Sequence, residues 1–228
     1  MLILAVDTSG FEGSIAVLND GRILAERALV AEDGRHAQTL VLQVDRVLRS
    51  LQLAPQDIDA VAVSIGPGSF TGLRVGVVFA KTFAWANAAN LVAVDTLRAV
   101  AQQTTDGVTD VAVISDAQRS EVFVNEYTWD AESQSFLAVG EVRIEAIETV
   151  VQQTVARGLH VTGPGLVKFA DQFPDSSLLA DLSLWNPGAA AVAQVGRLLL
   201  TDNQLADLNT LEPLYIRRSY AEEKVAKS

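Results

Sequence analysis

Short apolar runs alternate with longer apolar periodicities along this chain, and turn residues separate them. Met1–Val6 is continuously apolar, Ser14–Leu18 is short and apolar, and Arg22–Leu29 follows Asn19-Asp20-Gly21. An Asp-Gly step between two such runs signals a hairpin, so three strands open the chain. From His36 to Leu51, residues Ala37, Leu40, Val41, Val44, Val47, Leu48 and Leu51 recur at helical spacing. Pro55 and Asp57 then interrupt it. A strand over Ala60–Ile65, a long helix over Leu73–Ala89, a short strand over Leu91–Val94 and a short helix over Thr96–Gln103 complete the first half.

The second half starts the same way. Val111–Ser115 is an apolar strand ending at Asp116, as Met1–Val6 ends at Asp7. Val122–Tyr127 and Phe136–Val142 supply two further strands, Glu145–Ala156 a helix, and Leu159–Thr162 another strand. Gly163-Pro164-Gly165 then repeats Gly66-Pro67-Gly68 in the matching slot. Asn186 is placed to cap a helix running to Leu200, with Pro187 at its first position. The recurrence predicts an internally duplicated α/β fold. Its halves are 1–105 and 106–228, divided in the polar stretch Thr104–Asp110.

Charge and composition narrow the function. With 17 basic against 28 acidic residues the net charge is −11, which opposes unaided binding to a phosphate backbone. Cysteine is absent, so there is no thiolate metal site and no cysteine nucleophile. The two histidines, His36 and His160, lie in different halves without zinc-ligand spacing. The first apolar run has no basic start or cleavage pattern, and no uncharged stretch reaches membrane-spanning length. The expectation is a cytoplasmic protein without membrane association.

Two places invite chemistry. Gly66, Gly68 and Gly72 stand between a strand and a helix, where backbone N–H groups suit an anion. Their spacing is neither a P-loop nor a dinucleotide fingerprint, and a tight packing turn explains the same residues. Asp7 with Ser9, and Asp116 with Gln118 and Arg119, end equivalent strands; each fits a metal-bound phosphate or a local turn cap. Asp7, Ser9, Gly66, Gly68 and Asp116 are therefore the nucleotide-cleft candidates. The helix from Leu73 is apolar nearly all round, which implies central burial or a face covered by a partner. His36, Leu40 and Val44 on the first helix, with Arg74, Val78, Lys81 and Trp85 on the second, are the partner-surface candidates.

Specific strings carry a family resemblance. Leu4-Ala5-Val6-Asp7-Thr8-Ser9, the run Gly66-Pro67-Gly68-Ser69-Phe70-Thr71-Gly72-Leu73-Arg74-Val75-Gly76, Val94-Asp95-Thr96-Leu97, Asp116-Ala117 to Glu121-Val122-Phe123, and Pro213-Leu214-Tyr215-Ile216-Arg217 together resemble the TsaB (YeaZ) family. Gln118 stands where that family usually has arginine, Phe123 where it has tyrosine, and Thr82 where glycine is common. The resemblance implies the actin/Hsp70-like (ribonuclease H-like) fold and a role in threonylcarbamoylation of the adenosine beside the tRNA anticodon. It implies a subunit without catalysis or cofactor of its own, partnered by TsaD and the ATPase TsaE. ATP or ADP would then belong to the complex interface, tRNA would be met only through the complex, and the free chain would form a homodimer. Where TsaD carries a histidine-rich metal motif, this chain has Asp95, Thr96, Leu97 and Arg98. The competing classes are a stand-alone phosphotransferase of the same fold and a glycoprotease-like peptidase. The basic tail with Arg217, Arg218, Lys224 and Lys227 is expected to be solvated or docked on acidic surface.

Overall fold

Five of the six residues of β1 (Leu2–Asp7) are buried, because helices cover both faces of its sheet. The computed structural model describes residues 1–29, 36–104 and 107–216, with only the backbone given for 36–38. After β1 come β2 (Gly13–Asn19), β3 (Arg22–Leu29), α1 (His36–Ser50), β4 (Ala60–Gly66), α2 (Phe70–Asn87), β5 (Asn90–Asp95) and α3 (Thr96–Gln103). They are followed by β6 (Asp110–Gln118), β7 (Glu121–Asp130), β8 (Ser135–Ala138), β9 (Arg143–Ala146), α4 (Ile147–Arg157), β10 (His160–Thr162), α5 (Leu166–Phe169) and α6 (Ala189–Thr201).

The first sheet runs β3-β2-β1-β4-β5, with β1 antiparallel to β2 and parallel to β4. Strand alternation sends Leu4, Val6, Ile15, Val17, Val61 and Val63 toward α1 and α2. Ile3, Ala5, Ala16, Ala60 and Ala62 face α6 on the other side. Those small side chains let α6 come very close: a Cβ on Gly196 would fall 2.5 Å from the Ala62 Cβ. The second sheet runs β10-β6-β7-β8, with β9 beside β7. Its central β6 is again antiparallel to the next strand, β7, and parallel to β10. The duplication read from the sequence is therefore present in the topology, and the strands that carry Asp7 and Asp116 each pair on both sides.

Four details differ from the sequence reading. Phe136–Val142 is not one strand; β8 ends at Ala138, and β9 takes residues assigned to the following helix, because Arg143–Ala146 pair with β7. Asn186 does not cap α6; Gly188 does, and the first N–H groups donate to Ser14 Oγ (2.8 Å) and Glu26 Oε1 (3.0 Å) of the first sheet. Side chains of β2 and β3 thus replace the local cap. Third, the expected half 106–228 would keep α6 on the second sheet, yet it seats on the first, and the chain after it stays there. Ala206 N donates to Leu91 O and Leu214 N to Ile65 O. Fourth, Val41, counted with Leu40 and Val44 in the apolar periodicity of α1, is 62% exposed while those two are buried. Residues 105–106 and the tail 217–228 lie outside the described residues. Among the described residues, no helix is long and apolar enough to cross a membrane.

Candidate functional site

The turn after β1 and the glycine loop before α2 form one unit, backbone against backbone. Asp7 is fully buried, and its carboxylate accepts from Ser9 N at 2.7 Å and Ser9 Oγ at 2.8 Å. Ser69 N donates to Ser9 O at 2.7 Å, and Thr8 Oγ1 donates to Gly72 O at 2.8 Å. A Cβ on Gly68 would lie 2.5 Å from Ser9 O; on Gly72 and Gly76 it would land on Thr8 O and Thr8 Oγ1. The α2 N-terminus is capped by Ser69, whose Oγ accepts from Gly72 N at 3.2 Å. The glycines therefore serve close approach of the chain to itself. Gly66 faces Leu214 and Leu73, while its N–H donates to Thr96 Oγ1 at 3.1 Å. The structure brings Asp7, Ser9 and Gly68 together. Asp116 stands on the second sheet, where its carboxylate accepts from Gln118 N at 2.8 Å and from Lys168 Nζ at 3.1 Å.

The segment after β5 joins the halves. Asp95 caps α3 by accepting from Arg98 N at 2.9 Å and also accepts from Tyr127 OH, across on β7, at 3.2 Å. Arg98 Nε donates to Phe136 O at 3.0 Å, and Gln102 Oε1 accepts from Phe136 N at 3.1 Å. Leu97 and Val100 pack with Val111, Val113, Tyr127 and Phe136. Asp95, Thr96, Leu97 and Arg98 are thus a cap, a hydroxyl acceptor for the Gly66 N–H, a core residue and a cross-sheet donor. Among the described residues, no group of three or more His, Cys, Asp or Glu is placed to hold a metal ion.

Burial holds the Asp95 carboxyl above its ordinary range, only partly opposed by the Arg98 N–H and the Tyr127 hydroxyl. The Tyr127 phenol is pushed up as well, first by burial and then by Asp95. A raised folded value means that the folded state holds this proton more tightly than the unfolded one. Its stabilising effect is full below about pH 3.9, the unfolded value, and drains away as pH rises through the folded value. Asp95→Asn keeps an oxygen acceptor and removes the titration. Its melting temperature relative to the unsubstituted chain is expected to rise from pH 4 to pH 7. A difference that stays constant with pH would refute this account of Asp95.

The partner-surface candidates separate sharply. Leu40 and Val44 are buried in the core between α1 and the first sheet, so they cannot meet a partner without unfolding. The His36 side chain lies outside the described residues. On α2, Leu73, Gly76, Val77, Ala80 and Ala84 face inward. Arg74, Val78, Lys81 and Trp85 form an outer stripe at steps of four, three and four. Val78 is 63% and Trp85 77% exposed. Arg74 stacks 3.9 Å over the Phe70 ring and donates to Tyr215 OH at 2.9 Å. Lys81 donates to Asn209 O and Leu211 O. Exposed Val41 and Leu42 were missed as surface residues; four apolar residues within Leu40–Val44 exceed what one helix face can bury, and that excess was the available signal.

Comparison with known proteins agrees with this architecture. A family model described as "TsaD: tRNA N6-adenosine threonylcarbamoyltransferase" matches residues 30–207. The tRNA threonylcarbamoyladenosine biosynthesis protein TsaB of Bacillus subtilis is 28% identical over 237 residues, covering 100% of this chain and 99% of the relative. The Escherichia coli TsaB is also 28% identical, over 99% of this chain and 98% of its own. The solved YeaZ from Pseudomonas aeruginosa superposes with a TM-score of 0.82 at 26% identity, covering 94% of this chain and 99% of that one. With near-complete coverage in both directions, and with the glycine run and duplicated sheets in place, the chain belongs to the TsaB (YeaZ) branch of the threonylcarbamoyltransferase family.

Proposed function

We propose that this chain is the non-catalytic subunit that supports a TsaD-type transferase in threonylcarbamoylation of tRNA, with the ATPase TsaE joining the pair. The observation that carries the reading is the outer stripe of α2, where Val78 and Trp85 stand exposed on a helix whose inner face is already fully packed. An exposed tryptophan on an ordered helix is the kind of side chain that anchors protein interfaces. Two further features support a supporting role. The loop that resembles a phosphate cradle is filled by Thr8 and Ser9, and the Asp95–Arg98 segment is spent on joining the two sheets. Nucleotide belongs to the interface of the assembled complex rather than to this loop, where Asp7 is fully buried against Ser9 and Gly68 is closed by Ser9. At a net charge of −11 the free chain meets tRNA only through its partners in the cytoplasm. In their absence the α2 stripe pairs with a second copy.

Reconstitution tests the reading. The purified chain given ATP, magnesium and tRNA is expected to stay at background. Adding TsaD-type and TsaE-type subunits is expected to yield modified tRNA, and omitting this chain from that mixture to abolish it. Turnover by the chain alone that Asp7→Asn removes would establish the phosphotransferase reading instead.

A further inference from the structure

The chain after α6, residues 203–216, crosses back over the first half as a strap. Leu208 and Leu211 pack on the core beneath α1 and α2. Two backbone bonds, Ala206 N to Leu91 O at 2.8 Å and Leu214 N to Ile65 O at 2.7 Å, tie it to the ends of β5 and β4. The Asp207 carboxylate accepts from Asn209 N and Thr210 N, which turns the strap toward α2. There Lys81 Nζ reaches Leu211 O at 3.1 Å and Asn209 O at 3.3 Å. One stretch further on, the Tyr215 ring lies 5.0 Å from Phe70, and Arg74 bridges both through its stack and its bond to the hydroxyl.

These pins come from the same stripe as the exposed apolar residues. Phe70, Arg74, Val78, Lys81 and Trp85 follow one another at helical steps along one side of α2. Lys81 stands between Val78 and Trp85, so whatever covers both must also meet the strap at Asn209–Leu211. Toward the helix start, Phe70, Leu214 and Tyr215 are each 39–40% exposed and extend the apolar surface past Val78. Both cations bond to the strap, Arg74 through the Tyr215 hydroxyl and Lys81 through the two carbonyls.

We infer that the strap is one wall of the partner face, and that Arg74 and Lys81 are positioning residues which hold it in the shape the TsaD-type subunit meets. The inference rests on the reading that α2 faces that subunit, a relative of this chain over residues 30–207, which include α1 and α2. A wall already in place spares the complex the cost of ordering it on binding.

The test uses the full chain and the purified TsaD-type subunit, with hydrogen exchange at Ala206 and Leu214 and calorimetric affinity read side by side. Arg74→Gln with Lys81→Gln is expected to speed exchange at both amides and to weaken binding about tenfold. Tyr215→Ala leaves both cations in place and is expected to do the same, which separates the strap's effect from a direct contact by Arg74 or Lys81. Trp85→Glu is expected to block binding with exchange unchanged. Faster exchange at full affinity in the first two variants would overturn the inference, as would exchange that none of them alters. Full affinity in Trp85→Glu would instead refute the underlying reading of α2, and the inference with it.

Discussion

Trp85→Glu is expected to abolish measurable association with the TsaD-type subunit while leaving the melting temperature of the free chain unchanged. The side chain is 77% exposed on a well-packed helix, so a carboxylate there stays hydrated and costs the fold almost nothing. In the proposed complex the same carboxylate would have to give up its hydration at the interface. Loss of a central tryptophan contact alone costs about 2 kcal/mol or more, roughly a thirtyfold loss of affinity. The desolvation penalty adds to it. Val78→Glu, about two turns away on the same stripe, is expected to act in the same direction with smaller effect, since valine buries less area. Leu40→Glu and Val44→Glu are expected to behave differently, by unfolding the chain, because both positions are core. Calorimetric titration alongside thermal melting distinguishes the cases. Unchanged affinity in Trp85→Glu would remove α2 from the interface.

How far the sequence was readable depended on the range of the interactions concerned. Strands buried on both faces read as apolar runs, so β1, β4 and β6 were legible, as was the hairpin at Asp20-Gly21. The α6 start was not legible, because its cap is supplied by Ser14 and Glu26, more than 160 positions away in the chain. The same long-range docking hid the return of α6 to the first sheet; its alanine-rich side and the alanines of β1, β2 and β4 fit each other, but composition alone does not pair them. On α2 the outer stripe was legible as an apolar excess, whereas the roles within it were not. Arg74 and Lys81 read as surface cations until Tyr215 and the Asn209–Leu211 carbonyls are placed beside them. On α1, periodicity placed Leu40 and Val44 on an apolar face without saying that this face is the core.

The glycine run shows where two local readings of one motif part, and Gly72→Ala tests which is right. Were the loop a ligand cradle, an added methyl group there would impair binding and leave stability near or above its present value. Alanine is favoured over glycine within a helix by about 1 kcal/mol, and Gly72 lies inside α2. The structure predicts the opposite sign. The new Cβ would land on the Thr8 carbonyl oxygen and press the Ser69 Cβ at 3.3 Å. Thr8 has little freedom to withdraw: it is fully buried, its hydroxyl is bonded to Gly72 O, and its neighbour Ser9 is held by Asp7 on one side and Ser69 N on the other. Overpacking against fixed backbone typically costs about 1–3 kcal/mol and sometimes more, which outweighs the gain in helix propensity. A net loss of about 1–2 kcal/mol is expected from urea unfolding. Gly140→Ala serves as the control, since nothing lies within 4 Å of its added Cβ. It should change stability by no more than about 0.5 kcal/mol. If Gly72→Ala proved as stable as the parent chain, the contact between the glycine loop and the β1 turn would not be what these glycines are for, and the phosphate-cradle reading of the loop would return.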